Sequence, residues 1–106
     1  MRKEPRSTLN MARQTAYGLF ARGVLVEGVA RAVERAPSTV IQYLVSYINK
    51  EELSDPSPWV EKRSFQRVVD AAISLDTDQI GPIYRALGGE VDYDVIKISI
   101  AVLENR

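Results

Sequence analysis

The chain contains neither cysteine nor histidine. That double absence excludes a disulfide, a thiolate nucleophile, a serine-histidine relay and a zinc centre built from the usual nitrogen and sulfur ligands. Long apolar runs are also missing. The longest cover a few residues against the roughly 20 that a membrane helix needs, so no spanning segment and no membrane partner are expected. Neither a G-x-x-x-x-G-K-[ST] nor a G-x-G-x-x-G phosphate loop occurs, which excludes a nucleotide motor of known pattern from the chain. The stretch Met1 to Arg6 carries three basic residues but also Glu4 and Pro5, and no apolar core follows it, so it is not a secretory signal. A cysteine-free chain is compatible with a reducing compartment, and a cytoplasmic location is the expectation.

What is present is enough apolar matter for one compact domain: 45% of 106 residues, with 26% charged. The formal net charge is zero, yet it is unevenly spread. Residues 1–50 hold eight basic and three acidic residues, and residues 51–106 hold six and eleven, so the halves stand at plus five and minus five. Such segregation points one half toward something anionic.

Apolar residues recur at intervals of three and four, which predicts an all-α fold of about six helices. A first helix is expected over about Leu9 to Arg22, closed by Gly23 after a lead-in over 1–8, and a second over about Val26 to Arg35. Pro37 fits the first position of a third helix reaching about Lys50, because its missing N–H has no partner there in any case. The string Ser54-Asp55-Pro56-Ser57-Pro58 forbids helix and marks the main connection. A fourth helix over about Lys62 to Leu75 places Phe65, Val68, Val69, Ala72 and Ile73 on one stripe. A fifth, about Thr77 to Leu87, stops at Gly88-Gly89, and a sixth starts at Asp92 as N-cap and is apolar nearly all round. The expected organisation is a single domain over 9–106, with a helix-turn-helix half (9–53) packed on a supporting three-helix half (59–106).

Two carboxylate pairs, Asp76 with Asp78 and Asp92 with Asp94, flank helix starts, where the helix dipole favours negative charge, and are read as structural. No catalytic residue, metal ligand or cofactor is assigned. Recognition is the more informative possibility. Between Gly23 and Leu44, a short helix containing Val29-Ala30, a tight turn and a second helix with a polar outward face have helix-turn-helix spacing. Ser38, Thr39, Gln42 and Ser46 are the candidate groove contacts, none of them the arginine that most often reads guanine. Arg22, Arg31, Arg35 and Lys50 are the candidate phosphate contacts. Trp59 is read as a plug between helical layers, and Tyr17, Tyr84 and Tyr93 as core residues with their hydroxyls at its edge.

Further elements lie outside that hairpin: Thr15-Ala16-Tyr17-Gly18-Leu19-Phe20, Ile80-Gly81-Pro82-Ile83-Tyr84-Arg85-Ala86-Leu87-Gly88, and Val91-Asp92-Tyr93 leading into Ile96-Lys97. Together with the hairpin they resemble the helix-turn-helix domain near the C-terminus of RecQ-type and related bacterial ATP-dependent DNA helicases, over about Thr15 to Leu103. The resemblance departs from that family's pattern at Leu25, Gly28 and Tyr43. It implies a non-catalytic accessory domain that contacts duplex, forked or single-stranded DNA weakly through backbone phosphates, beside helicase motor domains in the same or another chain. Two alternatives stay open: an interaction or oligomerisation module, weakly homodimeric through the last helix, and a free-standing regulator.

Overall fold

The computed structural model describes the backbone of residues 4–106 and the side chains of residues 11–106. Six helices and no strand occur among the described residues: α1 (Glu4–Ala21), α2 (Val26–Val33), α3 (Pro37–Glu51), α4 (Lys62–Leu75), α5 (Ile80–Ala86) and α6 (Tyr93–Glu104). The fold is all-α, and no helix among the described residues is long and apolar enough to cross a membrane. Residues 1–3 of the expected lead-in lie outside the described backbone. From Glu4 onward the backbone is already helical, five residues ahead of Leu9. Pro5 does not prevent this, since a first-turn residue has no intrahelical acceptor for its N–H.

The chain forms two compact units, residues 1–47 and 48–106. The division falls inside α3 and not at the proline-rich connection. Its cause lies in the second unit, where the Asn105 side-chain amide donates to the carbonyls of Ile48 (3.1 Å) and Leu53 (2.9 Å). The Arg106 Nε donates to the Ser54 carbonyl at 3.0 Å, and its guanidinium lies 4.7 Å from the Phe65 ring centroid. The last turn of α3 and the segment after it are thereby tied to the end of α6, satisfying carbonyls that a helix terminus leaves without partners.

In the first unit α1 packs on α2, and Tyr47 of α3 meets two rings of α1, Tyr17 at 5.5 Å and Phe20 at 5.8 Å. Ala16, Phe20, Val29, Val40 and Leu44 are buried there. In the second unit α4, α5 and α6 enclose Val68, Ala72, Ile83, Val91, Ile96 and Ile100. Burial of each valine or isoleucine among them contributes about 1.5–3 kcal/mol. Ile100 is therefore core and not on an outer surface, so it gives no support to pairing of two copies through that side chain. α6 is apolar nearly all round because its middle, Ile96 and Ile98 through Val102, is buried, with charge left to Asp94, Lys97 and Glu104. Its one buried polar side chain, Ser99, donates to the Val95 carbonyl one turn back at 2.7 Å.

Asp92 stands at the N-cap of α6 as expected, but its side chain makes no capping hydrogen bond. α5 begins at Ile80 and not at Thr77, which places Pro82 third, still within the first turn. Tyr93 is 48% exposed and not a core residue; its ring lies 4.4 Å from that of half-buried Tyr84. The Gly88-Gly89 stop holds, with both residues at positive φ and the Gly89 N–H donating to the Tyr84 carbonyl at 3.1 Å.

Candidate nucleic-acid interface

Three residues, Glu34, Arg35 and Ala36, join α2 to α3. α2 ends when Glu34 takes the left-handed conformation (φ 57°), and the Arg35 N–H then reaches back to the Ala30 carbonyl at 3.2 Å. That six-to-one bond reverses the chain, a task usually given to glycine. Ala30, 8% exposed, is small enough to let the hairpin close, and Val29 beside it is fully buried. α3 then starts at Pro37, with the Ala36 carbonyl accepting from the Thr39 and Val40 N–H groups at 3.0 and 3.1 Å. Sequence spacing and structure agree on this hairpin.

Along α3, Val40, Ile41, Tyr43, Leu44 and Ile48 are buried, while Ser38, Gln42 and Asn49 are exposed and Thr39 and Ser46 half-buried. Spacings of four, four and three residues from Ser38 through Gln42 and Ser46 to Asn49 set these four side chains on one stripe. The stripe is polar and uncharged. None of their side-chain polar groups has a hydrogen-bond partner among the described residues, so all can engage an external donor or acceptor.

The four basic candidates do not behave alike. Arg31 is exposed in the last turn of α2, and Arg22 is exposed just past the end of α1; neither has an ion-pair partner among the described residues. Arg35 is turned inward on its own loop, its Nη1 donating to the Val33 and Glu34 carbonyls, each at 3.2 Å. It caps α2 and is only half-exposed. Lys50 lies twelve residues beyond Ser38, about 18 Å along α3 at 1.5 Å per residue, and pairs with Glu51 at 3.4 Å. Arg31 and Arg35 thus fall at and just after the end of α2 and Ser38 and Thr39 in the first turn of α3, while Lys50 stands at the opposite end of that helix.

Arg13 of α1 was not among the candidates. It is exposed, yet its guanidinium lies 5.2 Å from the centroid of the Tyr43 ring on α3, and its Nη1 donates to the Tyr17 hydroxyl at 3.4 Å. Only the folding of α1 against α3 places it there, and spacing along the chain carries no signal of it.

Residues 12–100 match a family described as a helix-turn-helix domain. The chain belongs to this helix-turn-helix domain family. No curated protein and no solved structure matches it. At that level the helix-turn-helix family points to DNA as the partner, in keeping with the outward face of α3. The match ties the domain to no particular parent protein.

Proposed function

We propose that this chain is a non-catalytic accessory DNA-binding domain of a bacterial cytoplasmic DNA helicase, acting beside motor domains in the same or another chain. In this reading it holds DNA weakly, mainly through backbone phosphates. The observation that carries it is the α2–α3 hairpin, whose second helix presents an uncharged hydrogen-bonding stripe and whose first helix ends with the exposed Arg31, unpaired among the described residues. A stripe lacking arginine suits contact without strong base selection, and cationic side chains at its margin suit phosphates. The helicase assignment rests on the resemblance of Pro82-Ile83, Ala86-Leu87-Gly88 and Tyr93 with Ile96-Lys97 to that family.

Fluorescence anisotropy with labelled duplex, forked and single-stranded oligonucleotides tests the binding. Dissociation constants in the micromolar range or weaker are expected at physiological salt, and affinity should fall as salt rises with a log-log slope of about −3 for three or four phosphate contacts. Arg31→Glu should weaken all sequences alike, and Gln42→Ala should matter only where bases are read. Absence of binding by the wild-type domain at low salt would overturn the reading. One observation favours a protein-interaction module instead: Ile73 and Leu75 on α4 are 70% and 44% exposed. Under that alternative, Ile73→Asp would abolish capture of a partner chain and leave DNA titrations flat throughout.

A further inference from the structure

The uncharged stripe of α3 poses a physical problem for a DNA-binding surface. Of the basic residues first assigned to it, Arg35 is committed to the carbonyls of Val33 and Glu34, and Lys50 is paired at the far end of the helix. A stripe of hydroxyls and amides needs a fixed cation at its edge to set its register on a phosphate backbone. On the α1 side, Arg13 meets that need. Tyr43, the ring beneath its guanidinium, has Thr39 four residues before it, and Ser46 and Tyr47 three and four after it, and on a helix those are its surface neighbours. Thr39 and Ser46 are two of the half-buried candidate groove residues. The Arg13 guanidinium thus sits at the margin of the stripe itself.

Its posture is prepared from two sides. The Tyr43 ring is 6% exposed and fixed in the core, so it provides a rigid platform for a planar cation. The Tyr17 hydroxyl accepts one N–H from Nη1, and the Tyr17 ring is itself braced on Tyr47 at 5.5 Å. A guanidinium carries five N–H donors, and among the described residues only this one bond engages them. An arginine held on a ring, still exposed and with most donors free, loses less conformational freedom on meeting an anion than a surface arginine on a bare helix.

We propose that Arg13, held by Tyr43 and Tyr17, is a phosphate-binding residue of this interface, fixing the α1 side of the α3 stripe on the nucleic-acid backbone. The inference rests on the DNA-binding reading above and adds to it a residue, a bonding mode and a side of approach. A planar guanidinium engages two phosphate oxygens at once, which a lysine ammonium in the same place does not.

The test compares wild-type protein, Arg13→Gln, Arg13→Lys and Arg63→Gln, the last removing an equal charge from an exposed position on α4. Each is titrated with labelled random-sequence duplex over a range of salt concentrations, and folding is checked by far-ultraviolet circular dichroism. Arg13→Gln is expected to weaken binding roughly 3- to 10-fold at low salt and to reduce the magnitude of the salt slope by about 0.9, one phosphate contact. Arg63→Gln is expected to change neither. Arg13→Lys should keep the wild-type slope yet bind more weakly than wild type, because the charge stays and the bidentate fork is lost. If wild type binds and Arg13→Gln matches Arg63→Gln, the role of Arg13 is overturned while the DNA reading stands. If wild type itself does not bind, the DNA reading falls and this inference with it. Should Arg13→Gln fail to fold, Arg13→Lys decides, since wild-type affinity there would overturn the held guanidinium.

Discussion

Glu34, Glu52 and Asp76 adopt φ of 57°, 54° and 53°, a region where a Cβ crowds the neighbouring carbonyl and glycine does not. Glu34 and Asp76 also place a carboxylate at the negative end of a helix, the unfavourable end for that charge. Glu34→Gly is therefore expected to stabilise the protein by about 0.5–1 kcal/mol, the relief of strain exceeding the entropy glycine adds to the unfolded chain. A urea melt showing lower stability would refute the strain. Elsewhere, the Glu104 carboxyl titrates above its ordinary value of 4.5, first because partial burial disfavours its charge, then through a hydrogen bond with Asp78 and that residue's charge. A raised carboxyl favours the fold in its protonated form, so its contribution is complete below the ordinary value and is lost as pH rises through the folded one. Glu104→Gln keeps a neutral shape at every pH. Its thermal midpoint should exceed that of wild type at about pH 7 and converge with it near about pH 3.5, well below the unfolded carboxylate value; a difference independent of pH would contradict this.

At the scale of the helices, α4 follows its apolar stripe: Phe65, Val68, Val69 and Ala72 are buried, as the three-four spacing predicts, whereas Ile73 at the end of that stripe is exposed. Phe65→Ala should cost about 3–5 kcal/mol in chemical denaturation, since the ring is 3% exposed and also carries the Arg106 guanidinium. A cost near zero would show that the ring is not packed. The bounds of α3 and α4 were legible because Pro37, the prolines at 56 and 58, and unbroken periodicity mark them. The inner side of α6 was not legible, because Val95, Ile96, Ile98, Ile100, Val102 and Leu103 leave no polar stripe by which to orient it. The end of α2 was read two residues long, at Arg35, since a glutamate in a left-handed turn carries no residue signal of the kind glycine gives at Gly23 and Gly88.

For the molecule as a whole, the hairpin, the polar stripe of α3 and the exposed Arg22 and Arg31 could be read from local spacing, whereas the engagement of Arg35 and Lys50 and the position of Arg13 could not. Arg35 and Lys50 looked free in the sequence and are engaged in the fold, and Arg13 looked remote from α3 and lies against it. Arg35 and Lys50 are taken up by immediate chain neighbours and Arg13 by a tertiary contact, and residue spacing signals neither. Both units, of 47 and 59 residues, include turns of the one continuous helix α3, so the two should unfold in one transition. Trp59 fluorescence and far-ultraviolet circular dichroism should give coincident melts, and clearly separate midpoints would refute a single cooperative unit. The boundary between the units, between Tyr47 and Ile48, cuts no loop; it runs through the continuous hydrogen-bond ladder of α3. Amide protons on either side of it are released only when turns belonging to both units open together, so α3 should be the slowest-exchanging helix in deuterium, and the stripe it presents the last part of the protein to lose its shape.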